Sequence, residues 1–569
     1  MRLEPAALAL SSTLLLGGTL TAQNPGDRLR RAVRSIDALI KAEMRNSRAP
    51  GVALALTDRR GVLHLATYGF ADAKTRTPVT QATLFEIGSI GKSFTAVALL
   101  QLRDQGRIDP RRPVKDYLPW FDIQSGFAPI QVHHLLSHTA GIPSDRDDIP
   151  SGPYRVIGAK DLVTGSPPGT RFSYSNLGYQ ILGYVVEEVA KLPYGQVIRQ
   201  RILEPLGMTR SEPVLTNAIR PRVAIPYVPL FDDRPDHRSR PLVEARWFEY
   251  GDGDGSIATT AADLAAYVRM ILNRGMGPKG RILTEEGFNL LTHPVVPVGD
   301  GRFYGYGLYR SESEGRRMLS HSGAMIGHRS YIAADMDDGL GVVVLVNGPL
   351  RLGGIGEFAL RVVRAARRAE TLPPRPRSTP DSTIPNATEY AGSYQSPDAR
   401  QLRFSAQADR LTLAAADGPV TLERRGPDRF IAPRRDFDQF LFEFGRDSSG
   451  SVVEVLHGSD WFVNERYRGP RGFDPPPSWR THPGHYRTEN AWFTNFRVVL
   501  RKGKLWVIRP GGDVDELVPL DRGASLFRVG SDSLSPDRVR FGMVVGSRTL
   551  NVNYTGVDFY RSFDPPNHR

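Results

Sequence analysis

The sequence predicts an α+β domain with one antiparallel sheet built from both ends of the segment, followed by two all-β antiparallel domains. Strand patterns at residues 51–68 and 330–347 flank a long helical and loop-rich stretch. A Pro-rich segment, 372–386, has the composition of a stiff linker and marks a domain boundary. Beyond it, short alternating strand patterns repeat after roughly 90 residues, a period that suits two tandem small domains.

The first domain is predicted over residues 27–371. From Leu29 to Ile40, apolar residues recur at helical spacing, and a strand pair follows at 51–57 and 62–68. Two further strands and a closing helix are predicted at 330–335, 341–347 and 355–370.

The two small domains are predicted at 387–476 and 477–569. Matching segments occur in both copies: 390–394 with 483–486, and 473–476 with 563–566. Each copy contains about eight strand-like runs, and eight antiparallel strands close into a barrel without free edges. We therefore expect two eight-stranded, lipocalin-like barrels, with a pair of small sandwiches as the alternative.

The N-terminus carries a pattern typical of a secretory signal peptide over residues 1–22. A basic start at Arg2 precedes an apolar run from Ala6 to Leu20 and a small-residue exit. The run is short for spanning a bilayer, which makes a membrane anchor the less favoured interpretation. A periplasmic or secreted protein is expected, with no membrane span in the mature chain.

Composition excludes several kinds of site. The chain has no cysteine, which rules out disulfides, thiol catalysis and thiolate metal sites. Its formal charge of +13 favours anionic surfaces such as cell-wall polymers, but the basic residues are spread among acidic ones. We therefore expect no nucleic-acid partner and keep cell-wall fragments as a candidate partner.

Ser89 and Lys92 lie three residues apart at the start of an apolar helical run. This spacing places both side chains on one helix face, where the amine can reach the hydroxyl. A serine hydroxyl needs a base to become a nucleophile, and a desolvated lysine of lowered pKa can supply one. The helix start adds N–H groups beside a developing oxyanion. Taken alone, such a tetrad is more often an N-cap serine followed by a solvated lysine.

Two further segments offer suitable polar groups. Tyr174 lies in a loop before a helical run, and a phenol near an ammonium can shuttle a proton. Asn176, two residues on, can donate to a substrate carbonyl. Downstream, His321 precedes Gly323, which permits close approach of a substrate backbone, and Ala324, whose N–H offers an oxyanion donor.

In this order, residues 89–92, 174–176 and 321–323 resemble the Ser-x-x-Lys, Tyr-x-Asn and Lys/His-x-Gly boxes of the serine β-lactamase and penicillin-binding-protein superfamily. Residues 135–143 resemble its Leu-Leu-(Ser/Thr)-His-Thr-Ser-Gly loop. Residues 255–264 resemble its Gly-Gly-(Leu/Ile)-x-Ser-Thr-x-x-Asp-Leu segment. The likeness is greatest to class C β-lactamases, D-stereospecific peptidases and aminopeptidases, and related esterases. Some D-aminopeptidase-like members also carry two extra β-barrel domains.

The resemblance implies a β-lactamase/transpeptidase-like domain with helices on both faces of the sheet, a helical subdomain, and no cofactor or metal. Ser89 would be the nucleophile and Lys92 the general base in acylation. Tyr174 would shuttle the proton to the leaving group and from the deacylating water. Asn176 would position the carbonyl of a small-molecule or short-peptide substrate.

His321 would orient Tyr174 or meet the polar end of the substrate, and the N–H groups of Ser89 and Ala324 would form the oxyanion hole. Efficient β-lactamases usually carry lysine at the position of His321. A histidine with a pKa near 6.5 is mostly neutral at pH 7, so it holds a substrate carboxylate less well than an ammonium. This favours an exported serine hydrolase of esters, amides or short D-residue peptides over a β-lactamase or D-Ala-D-Ala carboxypeptidase.

Two other interpretations are open. His134 and His138 lie four apart with His133 beside them, a spacing that can ligate zinc, but no Glu lies between them and the helix ends at once. A buried, hydrogen-bonded His138 is the favoured interpretation. A non-catalytic penicillin- or cell-wall-binding protein is the second alternative, which the intact proton-transfer residues disfavour. The barrels are expected to rim or cover the cleft and restrict substrate size.

Overall fold

The computed structural model describes residues 25–143, 158, 162–376, 381–520 and 525–562. The predicted signal peptide and the segment 563–566 lie outside the described residues. Within the described part of the chain, no helix is long and apolar enough to cross a membrane.

A nine-stranded antiparallel sheet organises the first domain. The strands of this domain are β1 (Gly51–Asp58), β2 (Val62–Asp72), β3 (Thr77–Pro78), β4 (Phe85–Glu86), β5 (Tyr227–Pro229), β6 (Leu242–Glu244), β7 (Ala258–Thr259), β8 (Met276–Gly277), β9 (Gly280–Arg281), β10 (Val296–Gly299), β11 (Arg302–Tyr304), β12 (Tyr309–Ser313), β13 (Arg316–Met325), β14 (His328–Asp335) and β15 (Leu340–Val346). The sheet order is β10-β11-β12-β13-β14-β15-β1-β2-β3. In β1, Val52 lies opposite both Val346 and Tyr68, which confirms one sheet built from both ends of the domain.

Helices cover both faces of this sheet. The helices in the described residues are α1 (Pro25–Ser47), α2 (Gly91–Asp104), α3 (Val132–Leu136), α4 (Asn176–Ala190), α5 (Tyr194–Ile198), α6 (Glu204–Leu206), α7 (Ala261–Leu272), α8 (Glu285–Leu291) and α9 (Gly353–Arg367). Side chains of β1 alternate between the two faces. Val52, Leu54 and Leu56 pack with α1 and α9, whereas Ala53 and Ala55 pack with α2 and α7. From Val52 to Leu56 the strand is apolar because both of its faces are buried.

The first small domain is a nearly closed barrel of nine strands. They are β16 (Gly392–Gln395), β17 (Gln401–Gln407), β18 (Arg410–Leu413), β19 (Val420–Thr421), β20 (Glu423–Gly426), β21 (Arg429–Ile431), β22 (Phe442–Arg446), β23 (Val452–His457) and β24 (Asp460–Val463). Eight strands were predicted. The extra one arises because β19 and β20 are separated by Leu422 alone, while β19 pairs with β18 and β20 pairs with β21.

The second small domain is a closed barrel of eight antiparallel strands, as predicted. They are β25 (Gly484–Arg487), β26 (Asn495–Arg501), β27 (Lys504–Ile508), β28 (Val514–Pro519), β29 (Leu526–Val529), β30 (Arg538–Val545), β31 (Arg548–Tyr554) and β32 (Val557–Arg561). Buried aromatic side chains fill the interior, among them Tyr486, Phe496, Phe527 and Phe559. Filling by side chains is the usual state of a small barrel.

Candidate active site

Ser89 lies in a tight turn that packs against β13. The turn, Gly88–Ile90, follows β4 and leads directly into α2. Gly88 has a φ of +50°, and a Cβ there would lie 2.4 Å from the carbonyl oxygen of Ala324. A Cβ on Gly323 would lie 1.8 Å from the carbonyl oxygen of Ile87. The two glycines therefore allow direct contact between the turn and the strand. At Gly323 a close approach of a substrate backbone was predicted, but the backbone that approaches is that of Ile87 in the same chain.

The side chain of Lys92 is completely buried beside Ser89. Its Nζ lies 3.0 Å from Ser89 Oγ, 2.7 Å from Asn176 Oδ1 and 2.9 Å from the carbonyl oxygen of Asp254. The same nitrogen lies 5.0 Å from the centroid of the Tyr174 ring. Contacts with three oxygen atoms fix the amine, and the distance to Ser89 Oγ is one at which a proton can pass between the two groups.

Tyr174 and Asn176 flank Ser175, the N-cap residue of α4. The Ser175 hydroxyl accepts from a backbone N–H of the first helical turn, and its own backbone N–H donates to His138 Nδ1 at 3.0 Å. His138 is 1% exposed, as predicted, and its ring centroid lies 4.2 Å from that of Tyr174. Burial and the positive charge of Lys92 hold the pKa of His138 well below its usual range. The neutral imidazole of His138 therefore packs against the Tyr174 ring and accepts a hydrogen bond from the next residue, Ser175.

His321 is buried and hydrogen-bonded at both ring nitrogens. Nδ1 lies 2.6 Å from the carbonyl oxygen of Ser322, which can only accept, so Nδ1 carries the proton. Nε2 then accepts from the Tyr304 hydroxyl at 3.3 Å. Burial, together with the charge of Lys92, lowers the pKa of His321 to about 3. The side chain is thus a neutral imidazole at physiological pH.

Two spaces of different size meet at Ser89. A cleft of about 490 Å³ is lined by Ser89, Tyr174, Tyr309, His321, Ser322, Gly323, Ala324, Arg329, Ser330, Tyr331, Leu350, Arg351, Leu352 and Gly353. A pocket of about 30 Å³ is lined by Gly88, Ser89, Asn176, Tyr250, Asp254, Gly255, Ala324, Met325 and Trp492. The other six residues that the sequence singled out are thereby brought around Ser89: five of them line these two spaces with it, and Lys92 contacts it directly.

Sequence reasoning missed several residues at this site. The Asp254 carbonyl holds Lys92 but belongs to no motif, although it precedes the matched segment 255–264. Trp492 comes from the second barrel, and no local pattern connects it with Ser89. Arg329 and Arg351 line the large cleft and resemble any other exposed arginine in the sequence.

The three histidines considered for zinc have separate partners. His133 Nδ1 contacts the Tyr306 hydroxyl at 2.5 Å, and His134 Nδ1 accepts from the backbone N–H of Gln131 at 3.0 Å. His138 binds the Tyr174 segment. Among the described residues, no group of three or more His, Asp or Glu side chains is arranged to hold a metal.

Comparison with known proteins agrees with this geometry. Penicillin-binding protein 4 of Amycolatopsis lactamdurans is 29% identical over 360 residues, which cover 60% of this chain and 93% of that protein. Protein flp of Staphylococcus aureus (strain NCTC 8325 / PS 47) is 26% identical over 324 residues, 55% of this chain and 63% of flp. This chain therefore spans less than two thirds of flp.

One solved structure extends the likeness beyond the first domain. An octameric penicillin-binding protein homologue from Pyrococcus abyssi superposes with a TM-score of 0.55 at 24% identity, covering 76% of this chain and all of that one. The family model described as Beta-lactamase matches residues 36–361, more than half of the chain. The chain therefore belongs to the Beta-lactamase family of serine hydrolases.

Proposed function

We propose that this chain hydrolyses an ester or amide through an acyl intermediate on Ser89. The observation that carries the proposal is the 3.0 Å distance between Lys92 Nζ and Ser89 Oγ, at a completely buried lysine. A lysine in such a position supplies the base that a serine nucleophile needs. Tyr174 and Asn176 complete a set of proton-transfer and carbonyl-binding groups at the mouth of a cleft.

In the proposed acylation step, Ser89 Oγ attacks the substrate carbonyl carbon and loses its proton to Lys92. The proton passes through Tyr174 to the leaving group as the bond between carbonyl carbon and leaving group breaks. The backbone N–H groups of Ser89 and Ala324 stabilise the oxyanion. In deacylation, water attacks the acyl carbon, its proton enters the same relay, and the Ser89 oxygen leaves with a proton restored.

The neutral His321 supports esters, amides or short D-residue peptides as substrates. A ring with both nitrogens engaged and a pKa of about 3 provides no cation for a substrate carboxylate. β-Lactamase or D-Ala-D-Ala carboxypeptidase activity is the second candidate. It is favoured by Arg329 and Arg351, two exposed cations that line the large cleft and could bind a carboxylate there.

The proposal is tested by steady-state hydrolysis with wild type, Ser89→Ala and Ser449→Ala. The panel contains a p-nitrophenyl ester, nitrocefin, a D-Ala-D-Ala peptide and a D-amino-acid anilide. We expect wild type and Ser449→Ala, which changes an exposed turn of the first barrel, to turn over the ester or anilide, and Ser89→Ala to be inactive. Stoichiometric acylation without turnover would instead support a binding protein.

We propose in addition that the protein is exported, which the basic, apolar and small-residue pattern over residues 1–22 supports. N-terminal sequencing of the protein recovered from its native cells should then begin near Gln23. Recovery of an intact Met1 end would contradict export by cleavage.

A further inference from the structure

The pocket of about 30 Å³ beside Ser89 is far smaller than the cleft on the other side. This volume is close to the space of about 30 Å³ that one water molecule takes up in the liquid. A group larger than a few atoms therefore does not fit as the pocket stands.

One wall of this pocket comes from another domain. Trp492 lies in the loop of residues 488–494 between β25 and β26 of the second barrel. The side chain of Asn490, which is 6% exposed, accepts from the backbone N–H of Trp492 at 2.8 Å and of Phe493 at 3.4 Å. The loop is therefore fixed by an internal Asx turn.

The Trp492 ring is held against the first domain by aromatic contacts. Its centroid lies 5.6 Å from that of Phe248 at 76° and 6.4 Å from that of Tyr250 at 59°. Tyr250 in turn donates to Asp254 Oδ1 at 2.7 Å. Aromatic contacts with the first domain fix one side of the indole, and the Asx turn fixes the loop that carries it. The Trp492 side chain is therefore a rigid wall of the pocket.

The indole N–H of Trp492 has an unusual environment. Nε1 is buried and, among the described residues, has no hydrogen-bond partner. A buried donor without a partner is costly, and a bound acceptor removes this cost. In the pocket itself, Trp492 acts as a steric wall.

We propose that Trp492 is a specificity-determining residue that restricts the acyl group of the substrate to a few atoms. This inference rests on the proposed acyl-Ser89 mechanism. Tyr174, which delivers the proton to the leaving group, lines the large cleft, so the leaving group occupies that cleft. The acyl group is left with the pocket that Asn176 and Trp492 line. The substrates are short acyl esters, or amides of the smallest amino acids, with a bulky leaving group tolerated.

The test compares kcat/KM of the full-length protein for p-nitrophenyl acetate, butyrate and hexanoate. Each methylene excluded from a pocket costs roughly tenfold or more, so wild type should prefer acetate to hexanoate by about a hundredfold or more. Trp492→Ala should raise the hexanoate-to-acetate ratio at least about tenfold, and Trp492→Leu should raise it by less. Trp506→Ala, a change to a half-buried tryptophan on β27 of the same barrel, should leave the ratio unchanged.

Thermal melting of each variant establishes whether it is folded. If Trp492→Ala does not fold, the comparison is made with Trp492→Leu. Ser89-dependent hydrolysis with equal rates for acetate and hexanoate in wild type would overturn this inference alone. A hexanoate-to-acetate ratio of kcat/KM that stays within about twofold of wild type in the folded Trp492 variants would also overturn this inference alone. Absence of Ser89-dependent hydrolysis of every ester would overturn the proposed function together with it.

Discussion

Replacement of Lys92 by methionine distinguishes a catalytic role of this lysine from a purely structural one. Methionine has a similar length and no charge, so it fills the buried space and removes the hydrogen bonds to Ser89 Oγ, Asn176 Oδ1 and the Asp254 carbonyl. If Lys92 transfers the Ser89 proton, Lys92→Met removes a general base. Such a loss reduces the rate by about 10²- to 10⁴-fold, which corresponds to about 3–5 kcal/mol of activation free energy.

The effect of Lys92→Met on stability should be small because two contributions oppose each other. Three hydrogen bonds at about 1 kcal/mol each are lost. Against this, a polar amine no longer has to be buried, which relieves a desolvation penalty of about 1–3 kcal/mol. We expect the free energy of unfolding to change by no more than about 2 kcal/mol.

The assay is kcat/KM for p-nitrophenyl acetate together with thermal melting, with Lys115→Met as control. Lys115 has a side chain that is 62% exposed and 3.6 Å from Asp122, a surface pair that contributes little. The control should match wild type in both measurements. Two results would refute the catalytic role. One is a kcat/KM of Lys92→Met within fivefold of wild type. The other is a large fall in melting temperature with a kcat/KM that matches wild type once it is corrected for the folded fraction.

Three further changes have defined outcomes. Tyr174→Phe should lower kcat for the same ester by about 10²- to 10⁴-fold with little change in KM, because the ring still packs on His138 while the proton relay is cut; an unchanged kcat would exclude the relay. For His321, the folded pKa of about 3 lies below the unfolded value of 6.5, so its contribution to stability is complete above pH 6.5 and is lost as the pH falls towards 3. His321→Gln should therefore flatten the fall in melting temperature between pH 7 and pH 4, and identical slopes would contradict this reasoning. Arg364→Met should destabilise the protein by about 3–5 kcal/mol in urea unfolding, because the 2.8 Å pair with the fully buried Asp335 is broken and a carboxylate is left uncompensated; a change below about 1 kcal/mol would show that the pair is solvated.

The core of the site could be predicted because its chemistry is encoded locally. Ser89 and Lys92 are three residues apart, so one tight turn and the start of one helix bring them into contact. The pairing of β1 with β15 was also predictable, since both strands are apolar enough to be buried on both faces. Where a short segment fixes the geometry, sequence reasoning gives the right neighbours.

Other features depend on contacts between distant residues that no local sequence pattern indicates. The strands β10, β11 and β12 are too short to show a clear alternation of apolar and polar residues. They form because β12 pairs with the edge of β13, and β11 and β10 then pair in turn. The ninth strand of the first barrel results from a single break at Leu422. Trp492 reaches Ser89 across a domain boundary, so only the assembled fold shows their proximity.

The central claim is that Ser89 forms the acyl-enzyme, and trapping of that intermediate tests it most directly. Wild type and Ser89→Ala would be mixed with a slowly hydrolysed acyl ester, quenched in acid, digested and analysed by mass spectrometry. The account predicts one acyl adduct, on the peptide that contains Ser89, and none in Ser89→Ala. An adduct on a different residue, or undiminished ester turnover by Ser89→Ala, would contradict it.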